Sequence, residues 1–251
     1  MGALSMDELD RLTPFYINTK YKGMNGRLYA TKEDCVFTEH SKIIHQIPFK
    51  FIKNISMPRI PKGNEEHGTI ELADDKTTYS YAIDDDLTSA EEVYFYLKGK
   101  LLGKKQIDSF LKDIVDLKDI ECKKMFPPSI IARFLTLPNL LYPGERIQAA
   151  LQGRYCPSFS KHTYGVLTVT DKRIFFFDYA GMVTRDLERS EFKSLRIINS
   201  FNNFSDGHGR KTYSVEFNDS DFIVSVRTSR HIKIEMFYKV LEPNKKLDES
   251  F

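Results

Sequence analysis

The sequence predicts a mainly β protein built twice over: two barrels of about seven antiparallel strands, each followed by one helix, joined by a helical connector. Three observations predict it. Short runs alternate apolar and polar residues and are separated by turn residues. At the end of each half that pattern gives way to a helical period, over Val93–Leu101 and over Ser229–Leu241. The second half also repeats the element order of the first.

Residues 1–12 form an N-terminal helical segment, with Ser5 placed to cap it and Glu8 three residues on. Pro14 stops it. The first domain covers 13–104. In FYINTKYK, Phe15, Ile17 and Tyr21 share one face, and Lys20 and Lys22 the other. Asn25-Gly26 is a hairpin signal, Lys32-Glu33-Asp34 a turn, and Asp75-Lys76 a second hairpin. PRIPKGNEEHG reads as a loop. Thr88 and Ser89, three residues before Glu91 and Glu92, then cap a helix carrying Val93, Tyr94, Leu97 and Leu101, which Gly103 can close.

The connector covers 105–141. Ile107, Phe110, Leu111, Ile114 and Leu117 make an apolar stripe. An isolated helix of that length is marginal in water, so the stripe is expected to pack on the domains it joins and to hold them in one orientation. Pro127 and Pro128 break this helix, and Ser129–Leu137 reads as another. The second domain covers 142–251. ERIQAALQGRY is a strand, CPSFSKH a turn, and Asp171-Lys172 a hairpin. A long strand follows, from Phe192 to Phe201, then a glycine-rich loop and two further strands. Ile232, Met236 and Val240 mark the last helix, which Pro243 stops.

The repeat is legible in the residues. Gly26-Arg-Leu-Tyr-Ala-Thr-Lys-Glu-Asp-Cys-Val-Phe aligns with Gly165-Val-Leu-Thr-Val-Thr-Asp-Lys-Arg-Ile-Phe-Phe, a displacement of 165 − 26 = 139. Ile70-Glu-Leu-Ala-Asp-Asp aligns with Val215-Glu-Phe-Asn-Asp-Ser, displaced by 215 − 70 = 145. The closing helices share Tyr94-Phe-Tyr and Met236-Phe-Tyr. A period this long means duplicated domains rather than a solenoid.

Leu140-Leu-Tyr-Pro-Gly-Glu-Arg-Ile, with its Pro-Gly-Glu step into a first strand, resembles bacterial pleckstrin-homology (PH) domains. Gly165 to Phe177 is similar to that family's second and third strands, with their Thr-Asp-Lys-Arg turn. Together they resemble the bacterial PH group called YokE-like, over about 142–241. Over 13–103 the Pro-Gly-Glu step is absent and Thr31-Lys-Glu-Asp replaces the turn, so the repeat carries the assignment there. The resemblance implies tandem PH-like domains that act as a binding scaffold, without catalytic residues. It does not name what is bound.

Composition narrows the function classes. A net charge of +2, with no strongly basic half, argues against nucleic acid. Three scattered cysteines fit a reducing compartment. The start lacks a signal-peptide pattern and no apolar run spans a bilayer, so a cytoplasmic protein is expected. LKGKLLGKK at 97–105 is one residue short of a phosphate-binding loop and places Lys105 where that loop needs Ser or Thr. His40 and His45, an odd number of residues apart on expected strands, fall on opposite faces and make a poor metal pair. Asp84-Asp85-Asp86 compensates a helix start. Cys156, in a turn beside Arg154 and Lys161, has no His-carboxylate pair to activate it. No enzyme activity, metal, cofactor or small-molecule substrate is expected.

Two classes of binding remain. Protein binding or self-association would use the groove between the fifth strand and the closing helix of the second domain, where Phe192, Phe201 and Phe204 are the interface candidates. The alternative is peripheral contact with anionic lipid. Its candidates are Lys20, Lys22 and Arg27 at the first hairpin of domain one, and Arg154 and Lys161 at that of domain two.

Overall fold

A computed structural model describes residues 9, 16–59, 68–84, 90–116, 125–158, 161–178, 181–199, 211–218, 222–228 and 231–242. It is mainly β, with two seven-stranded antiparallel sheets and, among the described residues, four helices. The chain divides into two compact units, Met1–Leu102 and Gly103–Phe251.

In the first unit the strands are β1 (Tyr16–Tyr21), β2 (Met24–Ala30), β3 (Asp34–Glu39), β4 (Lys42–Pro48), β5 (Asn54–Arg59), β6 (Thr69–Ala73) and β7 (Thr78–Ile83). A 3-10 turn, Phe49–Phe51, joins β4 to β5, and α1 (Ala90–Leu101) ends the unit. The strand order is β4-β3-β2-β1-β7-β6-β5, a continuous meander whose first and last strands meet at β1 and β7. The sheet stays open between β4 and β5 rather than closing into a barrel. Helix α1 lies over β5, β6 and the 3-10 turn at that seam, and buries Val93 and Leu97 with Ile17, Leu28, Phe37, Phe49, Ile55, Ile70 and Tyr81. This burial is what gives a short amphipathic helix its stability. On the other sheet face, helical Leu9 is buried with Tyr29 and Val36. The capping pair Thr88 and Ser89 lies outside the described residues.

The first hairpin turns at Lys22 (φ 49°) and Gly23 (φ 82°), not at Asn25-Gly26. Asn25 and Gly26 lie inside β2, paired with Lys20 and Thr19. Gly26 serves close approach instead: a Cβ there would stand 2.1 Å from the Thr38 carbonyl oxygen and 2.6 Å from the Phe37 ring. His40 is a correction as well. It occupies the β3–β4 turn with φ 44°, followed by Ser41 at φ 66°, and is not on a strand.

The second unit opens with α2 (Lys104–Asp113) and α3 (Pro128–Thr136). Its strands are β8 (Ile147–Ser158), β9 (Lys161–Thr170), β10 (Arg173–Asp178), β11 (Val183–Glu188), β12 (Leu195–Asn199), β13 (Lys211–Phe217) and β14 (Phe222–Thr228), and α4 (His231–Leu241) follows. Their order, β11-β10-β9-β8-β14-β13-β12, copies that of the first unit. Phe110 of α2 packs against Phe134 of α3 at 5.8 Å, and Phe134 meets Phe177 edge-on at 5.2 Å. The Arg133 Nη1 donates to the Gly165 carbonyl at 3.3 Å. Of the stripe predicted in the connector, Phe110 is buried, Ile107, Leu111 and Ile114 are half-buried, and Leu117 lies outside the described residues.

Two sequence readings change here. The turn read over CPSFSKH is shorter than expected, because β8 runs through Cys156 to Ser158 and β9 starts at Lys161, which pairs with Ser158; residues 159–160 between them lie outside the described residues. The long strand expected from Phe192 to Phe201 starts only at Leu195 and is described as far as Asn199. A 3-10 turn, Arg189–Glu191, precedes it, with Phe192 as its C-terminal cap.

The repeat holds at the level of the ladder. A Cβ on Gly165 would stand 2.0 Å from the Phe177 carbonyl oxygen and 2.8 Å from the Phe176 ring, the same collision as at Gly26. Both third strands shift register at the corresponding step, Phe37/Thr38 and Phe176/Phe177, and 176 − 37 is again 139. The hydroxyl of Thr31 accepts from the Asp34 N–H, as that of Thr170 accepts from the Arg173 N–H. Ile55 opposes Leu72 as Leu195 opposes Phe217, which reproduces the displacement of 145.

Candidate functional site

The cationic candidates of the first unit occupy one hairpin. Lys20 is exposed and pairs with Asp84 at 3.0 Å. The Lys22 ammonium lies 5.3 Å from the Tyr21 ring centre, and the Arg27 guanidinium 5.0 Å from that of Tyr16. Arg27 and Asp84 line an open polar cavity of about 570 Å³, together with Asn18, Thr38, His40 and Ser41. In the second unit Arg154 faces Tyr164 and Lys161 faces Ser158 across the β8–β9 ladder. Arg154 thus stands on a strand as expected, and Lys161, read in a turn, begins β9.

His45, on β4, takes a role its sequence position did not announce. Its Nε2 shares a hydrogen bond of 2.5 Å with the Tyr81 hydroxyl, and its ring packs against Tyr21, Phe37 and Tyr79. Burial, and then the charge of Lys22, lower its pKa to about 4. Among the described residues no three His, Cys, Asp or Glu side chains converge as a metal site would need. No described helix is long and apolar enough to cross a membrane.

The sheet edges differ in a way that bears on protein binding. Strands β4, β5 and β11 each pair with their neighbour through a register shift, and β5 also carries Pro58. Bulges and prolines are the devices that blunt an edge against further pairing. Strand β12 pairs with β13 in one unbroken register, Leu195↔Phe217 to Asn199↔Tyr213. The Asn218 N–H donates to the Ser194 carbonyl. By the alternation of an antiparallel ladder, Leu195, Ile197 and Asn199 therefore turn their backbone groups to the outer side. Helix α1 lies over β5 in the first unit, whereas among the described residues the principal partner of α4 is β8.

Beside this edge stand Phe192 and Arg189. Phe192 is half-buried, with the Arg189 guanidinium 5.9 Å from its ring centre. The Nη1 of Arg189 is out of solvent and has no hydrogen-bond partner. Phe201 and Phe204 lie outside the described residues. Arg189 and the intact β12 edge were missed in sequence. The signal for Arg189 lay in the repeat: Phe49 donates its N–H to Glu33, as Arg189 does to Lys172, each at 2.8 Å. Phe49 and Arg189 thus hold the same place.

No family model matches the chain, and no curated protein matches it. Among solved structures it is similar to the C-terminal domain of an unknown protein from Leishmania infantum, at 17% identity over 43% of this chain and 93% of that one, with a TM-score of 0.33. It is also similar to the DH/PH domains of p115-RhoGEF in a mutant form, at 8% identity over 62% of this chain and 46% of that one, with a TM-score of 0.29.

Proposed function

We propose that the chain is a non-catalytic binding protein with two PH-like units, of the YokE-like kind its sequence resembles, and that its second unit takes up an extended protein segment along β12. The observation that carries this reading is the contrast between edges. Three edge strands are blunted by register shifts, and β12 is not. An added strand gains main-chain hydrogen bonds from the outward groups of Leu195, Ile197 and Asn199, and alternate side-chain positions supply selectivity. The segment belongs to a protein partner or to a second copy of the chain.

Peptide display on the full chain, with Asn199→Pro as the control, tests this. The proline removes one outward N–H at the strand's end and leaves the β13 ladder intact. The reading expects peptides, or concentration-dependent self-association in sedimentation, that the variant loses. Peptides held equally by the variant count against it. So does binding confined to acidic vesicles and lost in a Lys20, Lys22 and Arg27 triple alanine variant.

A further inference from the structure

Position 49 of the first unit and position 189 of the second are occupied by residues of opposite character. Phe49 is a core side chain, 8% exposed, in the 3-10 turn under α1. Arg189 takes that place in the second unit, its backbone making the same bonds: its N–H to the preceding hairpin and its carbonyl to the residue three ahead. An apolar corner of the fold has been replaced by a cation. The stem can fill part of the space that Phe49 fills, but Nη1 is withdrawn from water and has no acceptor. Burial accordingly lowers the guanidinium pKa. A guanidinium nitrogen held away from water without an acceptor costs stability unless something compensates it.

Around it, the described neighbours do not supply the compensation. Phe192 offers only a ring face at 5.9 Å. Glu188 and Glu191, one and two residues away in sequence, are exposed, and neither forms an ion pair with Arg189. Arg189 lies at the crossing from β11 to β12, so an extended segment running along β12 passes this corner.

Resting on the β12 reading above, we infer that the segment taken up by the second unit is acidic: it carries an aspartate or glutamate whose carboxylate pairs with Arg189 in the corner that Phe49 fills in the first unit. A carboxylate suits the guanidinium because paired N–H donors meet paired oxygens, and the bond strengthens away from water. The cation is thereby a specificity element, costly when the site is empty and matched when the correct segment is present.

The test is a random peptide library selected on the full chain, followed by fluorescence-polarisation affinities for the best peptide. Wild type, Asn199→Pro and Arg189→Phe are compared. The selected peptides are expected to share an acidic residue at one fixed position. Exchanging that acid for its amide should weaken binding roughly tenfold or more on wild type and have no effect on Arg189→Phe. Because Arg189→Phe restores the residue of the first unit, it should melt at or above the wild-type temperature, so a lost affinity is not a lost fold. Peptides that depend on Asn199 but share no acid, or an acid whose exchange costs the same on Arg189→Phe, overturn this inference and leave the β12 reading standing. Peptides indifferent to Asn199→Pro overturn both, as does the absence of selected peptides together with the absence of any self-association that Asn199→Pro abolishes.

Discussion

Glu145 and Arg173 meet out of solvent, their side chains 0% and 3% exposed, with Nε donating to Oε1 at 2.9 Å. The same carboxylate accepts from the Thr170 hydroxyl at 2.6 Å and the Tyr142 N–H at 2.7 Å. Arg173 donates onward to Asp186 and to the Leu140 carbonyl, both at 2.7 Å. This joins the Pro-Gly-Glu step to the Thr-Asp-Lys-Arg turn and gives both motifs a structural reason. Gly144 supplies the φ of 73° that the step needs. Burial opposes the charge on Glu145, but the bonds from Arg173, Thr170 and Tyr142 outweigh it and hold the carboxyl below its ordinary value.

Removing either partner should therefore be destabilising. Arg173→Ala leaves the buried Glu145 carboxylate without its counterpart, at a cost of about 3–5 kcal/mol, and Glu145→Ala, which leaves Arg173 still paired to Asp186, should cost less. Thermal melts of the second unit check this. The linkage has a definite sign: with the folded pKa depressed, the contribution is complete above the ordinary glutamate pKa and fades as pH falls through the folded value. Glu145→Gln should be less stable near neutral pH and should lose this part of the acid slope, so its stability changes less as pH falls.

His45 predicts a second acid effect, in the first unit. Its folded pKa of about 4 lies below the unfolded 6.5, so the unfolded chain binds more protons between those values. Stability should fall as pH drops from 6.5 towards 4 and level off beneath. His45→Gln, which can still reach Tyr81, should flatten that slope. Urea titrations across this range decide it.

Gly26→Ala and Gly165→Ala should each cost about 1–3 kcal/mol, because both place a methyl against a backbone carbonyl that cannot move aside. Gly103→Ala is the control: its Cβ would meet only the Gln106 side chain, at 3.7 Å. Equal effects at all three sites would deny the shared collision.

A fragment beginning at Gly103 should fold alone, and one beginning at Tyr142 should melt lower or without cooperativity. The shorter fragment loses Phe134 from Phe177 and the Arg133 bond to Gly165. Circular dichroism melts of the two fragments distinguish them, and equal midpoints would mean that α2 and α3 add nothing to the second unit.

Much of the fold was legible because alternation and turn chemistry are local. Thr31 and Thr170, Asp74 at its hairpin, and the apolar period of α1 all state their structure within a few residues. Asn25-Gly26 misled for the same reason. A hairpin signal was read where the glycine answers a carbonyl on the next strand, while the turn fell to Lys22-Gly23. The candidate site was less legible. Phe192 stood out as an aromatic at the start of an expected long strand, but an edge is defined by pairing it lacks, and the significance of Arg189 appears only when Phe49 is seen in its place.

Amide hydrogen exchange of the full chain, with and without a selected peptide, tests strand uptake by β12 most directly. The account predicts slowed exchange at Leu195, Ile197 and Asn199, whose N–H groups face outward, with Arg196 and Ile198 already protected by β13. Unchanged exchange at those three amides, with protection instead at the cavity bounded by Asn18, Arg27 and Ser41, would contradict it.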